Sequence, residues 1–213
     1  MPRSKEGLAR LVQREGVAAR IVAAFVAVDR AAFVPQEALG KAYADKPIAL
    51  PEQQTTSQPS LIARMIDALE LDPGHSVLEV GTGYGFQTAL LAQVARKVIS
   101  IERRPALAER ARRNLDAAGV ENTTVVVGDG WEGVPEHAPY DAIVVSATAD
   151  DIPDALRVQL NEGGRLVIPL RAGQGAAVLL LERSGDELVR KELLTPACFV
   201  PLVRGDGPDE VTE

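Results

Sequence analysis

The stretch Val77–Phe86, V-L-E-V-G-T-G-Y-G-F, restricts the fold more than any other part of the chain. The apolar run Ser76–Val80 has the length and β-branched content of a buried strand. Gly81, Gly83 and Gly85 follow it. Glycine has no Cβ and tolerates φ > 0, so the backbone here can turn sharply and approach a ligand closely. Phe86–Val94 then has a helical pattern, and the free N–H groups of its first turn point back over the glycines. A second apolar run, Val98–Ile101, ends in Glu102, 21 positions after Gly81. A carboxylate at such a place can accept two hydrogen bonds from a ribose diol.

The spacing narrows the nucleotide. A dinucleotide site calls for G-x-G-x-x-G, whose third glycine allows close helix packing beside a pyrophosphate. Phe86 stands at that third position, and the acidic Glu79 lies two residues before the first glycine. The pattern fits a nucleoside ligand with no phosphate and a charged amino-acid end, which is S-adenosylmethionine (AdoMet). The plainer alternative is a glycine turn that only closes a strand–helix unit.

Strand and helix patterns alternate from Ser76 onward. The strand candidates are Ser76–Val80, Lys97–Ile101, Thr123–Val127, Ala142–Val145 and Gly164–Pro169. Between them lie the helix candidates Phe86–Val94, Pro105–Ala118 and Pro153–Leu160. Strands apolar on both faces and separated by helices predict a parallel sheet with helices on each side. Ala176–Glu182 and Glu187–Leu193, joined around Ser184-Gly185, read as a hairpin that ends the sheet with antiparallel strands. The expected fold is therefore α/β: a doubly wound, mostly parallel, seven-stranded Rossmann-like sheet. Before it, Leu8–Gln13 and Ala18–Val28 predict two helices forming an N-terminal cap. Prolines and a glycine make Pro35–Gln58 mostly loop, and Pro59 suits the first turn of a helix that Pro73-Gly74 stops.

In such sheets ligands lie beyond the carboxyl ends of the strands. That rule groups Glu79–Gly85, Glu102, Gly128–Trp131 and Ser146–Asp150. Asp129 can accept a hydrogen bond from an adenine amino group, or be only a turn residue. Trp131 can wall the base, or be only core.

Composition excludes several classes. A net charge of −7 gives no global basic field to attract nucleic acid. The densest basic cluster, Arg103, Arg104, Arg110, Arg112 and Arg113, reads as a solvated helix face. With one cysteine, Cys198, and two histidines far apart, no disulfide and no metal-ligand spacing is expected, which suits a reducing cytoplasm. No apolar run of membrane-spanning length and no signal peptide is read. At 213 residues one domain is expected, a monomer by default.

Taken in order, A-L-P at 49–51, Q-T-T-S-Q-P at 54–59, V-L-E-V-G-T-G-Y-G-F-Q-T-A at 77–89, V-I-S-I-E-R at 98–103, G-D-G-W at 128–131, A-P-Y-D-A-I-V-V at 138–145, L-x-E-G-G-R-L-V-I-P at 160–169 and F-V-P-L-V at 199–203 resemble the protein-L-isoaspartate O-methyltransferase family. The segment around Ser57 and the F-V-P-L-V tail make the match specific, since the AdoMet motifs are common to many methyltransferases.

The resemblance implies an AdoMet-dependent enzyme that methylates the α-carboxylate of isoaspartyl residues in damaged proteins or peptides, with D-aspartyl residues an open second substrate. It implies that Ser57 is the active-site serine, positioning a carboxylate. Without it, Ser57 reads as the N-cap of the helix starting at Pro59. Gln58, Pro59 and Ser60 are implied beside the methionine end of AdoMet. Glu79, Gly81, Thr82, Gly83, Gly85, Glu102, Arg103, Asp129, Gly130 and Trp131 are implied to hold the cofactor. Thr55, Thr56, Val200, Pro201 and Leu202 are implied to line a peptide groove. The chain then divides into residues 1–58 (helices and active-site loop), 59–194 (AdoMet-binding core) and 195–213 (groove segment and tail).

The chain departs from the family before Ser57. The family usually has a stretch like I-G-Q-G-Q-T-I-S there, whereas Pro51 is followed by E-Q-Q-T-T-S, two residues shorter and without glycine. A reshaped substrate loop is expected, and with it a competing reading: a relative that methylates one dedicated carboxylate. A nucleic-acid amino-methyltransferase is disfavoured because Ser146–Ala149 is not an Asn/Asp-Pro-Pro-aromatic segment. A non-catalytic AdoMet-binding protein is the third alternative.

Overall fold

The computed structural model describes residues 4–173 and 175–205. The tail beyond, part of the expected segment 195–213, lies outside the described residues.

Helices α1 (Lys5–Gln13) and α2 (Ala19–Ala27) open the chain. Ser4 caps the first, its Oγ accepting from Gly7 N at 3.2 Å. Two 3-10 turns, Arg30–Phe33 and Gln36–Lys41, lead to strands β1 (Ile48–Ala49) and β2 (Thr55–Thr56), a separate antiparallel pair. Where loop was expected over Pro35–Gln58, there is thus a 3-10 turn and a tight hairpin. Pro51 O accepts from Gln54 N, with Glu52 at φ 56 and Gln53 at φ 58. Two successive left-handed residues make the turn whose twist matches paired strands. The turn explains how a loop without glycines closes in so few residues.

The rest alternates. Helix α3 (Pro59–Ala68) is followed by β3 (Ser76–Val80), α4 (Phe86–Ala92), β4 (Lys97–Glu102), α5 (Pro105–Ala117), β5 (Thr123–Val127), β6 (Tyr140–Val145), α6 (Asp154–Gln159), β7 (Leu160–Ala172), β8 (Gly175–Ser184) and β9 (Glu187–Ala197). The seven-stranded sheet has the order β5-β4-β3-β6-β7-β8-β9. Strands β3 to β7 pair in parallel, and β8 and β9 are antiparallel, as expected. Strand β7 is longer than expected at both ends: it begins at Leu160, paired with Tyr140, and continues past Pro169 to pair with β8 as far as Ala172↔Gly175.

The strands read apolar throughout because each feeds two cores. Side chains alternate across a pleat. Val77, Val98, Ala142, Val144 and Val167 therefore join α1 to α4 on one face. Leu78, Val80, Ile99, Ile101, Ile143, Val145, Leu166 and Ile168 join Trp131, Tyr140 and Leu156 of α6 on the other. Helices α1 and α2 sit on α3 and α4 through Leu8, Val12, Ile21 and Phe25, and Asp67 Oδ1 of α3 accepts from Ala18 N at 3.1 Å. Strand order reverses between β3 and β6, the switch point where ligands bind in such sheets. No described helix is long and apolar enough to cross a membrane.

Candidate active site

At the switch point the chain leaves β3 through Gly81 (φ 96), Gly83 (φ 56) and Gly85 (φ 91). A Cβ on Gly81 would lie 3.3 Å from Ser146 Cβ, at the end of β6. The glycines keep the floor open, and helix α4 starts immediately behind them. Glu102 closes β4. Its Oε2 accepts from Gly83 N at 2.8 Å and its Oε1 from Arg104 N at 3.0 Å. Burial pushes this carboxyl up, and the two backbone N–H bonds act against that shift. The carboxylate is thus fixed by backbone on both sides, with one edge toward the cavity above the glycines.

That cavity is lined by Gly81, Thr82, Gly83, Glu102, Arg103 and Gly130 among the residues expected to hold cofactor, and by Thr55, Thr56, Ser57, Val200, Pro201 and Leu202 among the rest. Its walls also include Ser146, which the strand-end rule had grouped with the site, and Gln87 and Leu107, which had not been assigned to it. Gln87 Nε2 donates to Ser146 Oγ at 2.9 Å, tying α4 to β6 across the floor. Only Ser146 had a sequence signal, its place after a central strand.

Other expected residues lie elsewhere. Glu79 is fully buried beneath the floor, not on its wall. Its Oε2 accepts from Ser100 Oγ at 2.6 Å and from Thr88 Oγ1, and Thr82 and Ser100 share a further hydroxyl contact. Its Oε1 has no hydrogen-bond partner among the described residues. Desolvation pushes the Glu79 carboxyl up to about 7, against the lowering effect of Ser100, Thr88 and Gln87. Gly85 sits behind the floor and supports α4 as its N-cap residue. Asp129 and Trp131 anchor the C-terminal segment. Asp129 accepts from Trp131 N at 2.9 Å and from Gly205 N at 2.6 Å. Trp131 Nε1 donates to Leu202 O at 3.1 Å, and the Arg204 guanidinium lies 4.0 Å from its ring centre.

A second cavity opens on the other side of the β1–β2 hairpin. Gln58 and Ser60 line it, with Asp45, Arg64 and the segment Thr195–Val200. Asp45 Oδ2 accepts from Gln58 Nε2 and Oδ1 from Ser60 N, each at 2.9 Å. Asp45 therefore satisfies the first turn of α3, whose N-cap position is Gln58 and whose first residue is the buried Pro59. Ser57 is not the N-cap, and among the described residues its hydroxyl makes no hydrogen bond. Thr55, Ser57 and Val200 line both cavities and form the partition between them. Backbone holds Val200 there: its O accepts from Thr148 N at 2.8 Å, and Leu202 N donates to Thr148 O at 2.7 Å.

The first cavity suits a nucleoside with an amino-acid end. It has a Cβ-free floor, a carboxylate held for a diol, and the apolar side chains Ile101 and Leu107 for a base. Among the described residues no His, Asp or Glu side chain is hydrogen-bonded to the Ser57 hydroxyl, so no triad forms there. A sheet of this order, with a glycine turn after β3 and a fixed carboxylate after β4, defines an AdoMet-dependent methyltransferase.

A family model described as protein-L-isoaspartate(D-aspartate) O-methyltransferase matches residues 3–207. The chain belongs to that family. A protein-L-isoaspartate O-methyltransferase of Roseiflexus sp. (strain RS-1) is 46% identical over 195 residues, 92% of this chain and 89% of that protein. One from Methylorubrum extorquens (strain PA1) is 44% identical over 212 residues, 97% and 92% of the two chains. A solved protein-L-isoaspartate O-methyltransferase superposes with a TM-score of 0.86 at 32% identity, over 95% of this chain and 66% of that longer one. The fold is also that of a Plasmodium falciparum structure described as a complex with S-adenosyl-L-homocysteine (TM-score 0.82, 22% identity, 96% and 100% coverage).

Proposed function

We propose that the protein methylates the free α-carboxylate of L-isoaspartyl residues in damaged proteins or peptides, with AdoMet as methyl donor. The observation that carries this reading is the partition. Two cavities meet at Thr55, Ser57 and Val200, and the Ser57 hydroxyl is uncommitted among the described residues. The cavity above the glycines takes the cofactor, with Glu102 accepting from the ribose hydroxyls. The second takes an extended peptide, whose carboxylate reaches the partition.

The chemistry asks little of the protein beyond placement. A carboxylate is already ionised at neutral pH, so no strong base is needed. Bound AdoMet supplies a sulfonium methyl. A carboxylate oxygen forms the new C–O bond while the S–CH3 bond breaks, leaving its electron pair on sulfur. Ser57 donates a hydrogen bond to the other carboxylate oxygen and aligns it. Gly81 and Gly83 seat the methionine end, and Pro201 and Leu202 cover the junction from water. The amide nitrogen of the following residue then attacks the ester carbonyl and expels methanol, giving a succinimide that water opens partly to normal aspartate, and so repair begins.

The chain works as one unit: residues 1–58 bring the active-site loop, 59–194 the cofactor core, and 195–213 the groove. A cytoplasmic monomer is the setting we propose. The deciding assay is transfer of labelled methyl to matched peptides carrying isoaspartate or aspartate at one position. Labelling of the isoaspartyl peptide alone, across unrelated sequences, supports the proposal. No labelling despite intact S-adenosylhomocysteine binding overturns it and favours a dedicated carboxylate, which the shortened hairpin would then serve.

A further inference from the structure

Arg30 is the largest side chain in the fully buried set, with 1% of its surface exposed. A guanidinium presents donors in a fixed planar fork and is costly to bury without partners. Here four backbone carbonyls take it. Nη1 donates to Ala42 O at 3.2 Å and Ala44 O at 2.9 Å. Nη2 donates to Lys46 O at 3.2 Å and Ser57 O at 3.1 Å. The guanidinium lies 5.5 Å from the ring centre of Phe86, the first residue of α4. Phe25 and Phe33 brace that ring at 5.8 and 6.1 Å. Burial lowers the Arg30 pKa to about 10, opposed by the Asp45 carboxylate, so the group stays charged at neutral pH.

The chain is thus gripped at Ser57 and just after it. Arg30 holds the Ser57 carbonyl, and Asp45 holds the next residues through Gln58 Nε2 and Ser60 N. We propose that Arg30 is a positioning residue of the methyl transfer: its fork ties the chain at Ala42, Ala44 and Lys46 to Ser57 and so sets where the Ser57 hydroxyl meets the substrate carboxylate. This rests on the function proposed above. Arg30 touches neither reactant and acts only through Ser57. A lysine cannot reproduce the fork, because an ammonium is a compact charge that does not bridge four carbonyls in one plane.

The test uses the full chain as wild type, Arg30→Lys, Ser57→Ala and the double variant. Four quantities are read: kcat and KM for an isoaspartyl peptide, S-adenosylhomocysteine Kd, and Tm. The expected result for Arg30→Lys is a loss of about tenfold or more in peptide kcat/KM, on the order of one lost charge-assisted hydrogen bond. Cofactor Kd should stay within about twofold, since the Glu102 and glycine contacts are untouched. The double variant should be no worse than Ser57→Ala, because the two residues act as one unit. Wild-type turnover by folded Arg30→Lys, additive losses, or a cofactor Kd that weakens as much as turnover would each overturn the proposal. If Arg30→Lys does not accumulate folded, hydrogen exchange on the wild type decides. The clamp requires the amides of 30–33 and 42–58 to open together, and independent exchange of 57–60 would refute it. Absence of methyl transfer by the wild type itself would instead refute the proposed function.

Discussion

Glu52 and Arg104 form an ion pair, with 2.8 Å between Oε2 and Nη1, that joins the tip of the β1–β2 hairpin to the residue two past the end of β4. The pair crosses the rim of the cavity above the glycines, which Gln53, Gln54 and Arg104 line. The hairpin beneath it carries strain, since Glu52 and Gln53 both adopt left-handed backbone. Gln53→Gly removes one of the two penalties and leaves the ion pair in place. Thermal unfolding should show Tm raised by about 2–4 °C, corresponding to roughly 1 kcal/mol in a chain of this size. An unchanged or lowered Tm would mean that the turn is not strained.

Glu79 gives a pH prediction. Its folded-state pKa of about 7 stands above the ordinary 4.5, so between those values the folded state holds a proton that the unfolded chain releases. Its contribution to stability is complete below 4.5 and is lost as pH rises through about 7. Glu79→Gln should match wild type near the lower value and exceed it on the alkaline side, by up to about 3 kcal/mol. Urea unfolding midpoints at the two pH extremes measure this, and parallel pH profiles would sink it.

Gly130 has no room for a side chain. A Cβ there would meet Val80 Cγ1 at 2.5 Å and Leu202 Cδ1 at 3.2 Å, and both of those residues wall the cavity above the glycines, where we propose the cofactor binds. Gly130→Ala should push them inward, at a cost of about 1–3 kcal/mol for overpacking. Calorimetry should find S-adenosylhomocysteine binding weakened by roughly tenfold. Unaltered affinity would show that the wall yields outward.

What the sequence made legible is what local spacing or sheet geometry decides. Gly81, Gly83 and Glu102 follow from strand ends, and the rule that ligands sit beyond carboxyl ends places Gly130 and Ser146 beside them. The two antiparallel strands were visible in the Ser184-Gly185 turn. Residues whose partners lie far along the chain were hidden. Arg30 looks like an ordinary surface charge until Ala42, Lys46 and Ser57 fold around it. Asp45 gives no sign that it serves the first turn of α3.

The hairpin over 48–56 was missed because its turn is built from Glu52 and Gln53, neither a residue that advertises left-handed backbone. Glu79 was read as one of the residues that hold the cofactor. The pleat turns it instead toward Thr88 and Ser100, on the same face as Val77, and burial does the rest. Asp129 and Trp131 were read as base contacts or, as plainly, as a turn residue and a core side chain. Their visible partners, Gly205 and Leu202, belong to a segment that sequence pattern alone does not place.

The partition between the cavities draws on both sides of the sheet, with Thr55 and Ser57 before β3 and Val200 after β9. Domains emerge from the ribosome N-terminal end first. The strands of the sheet are therefore all made before the last of the three partition residues exists. A polypeptide interrupted at β9 could assemble its sheet and its glycine floor, yet the two chambers would run together. Translation must pass Val200 before the two chambers can be told apart.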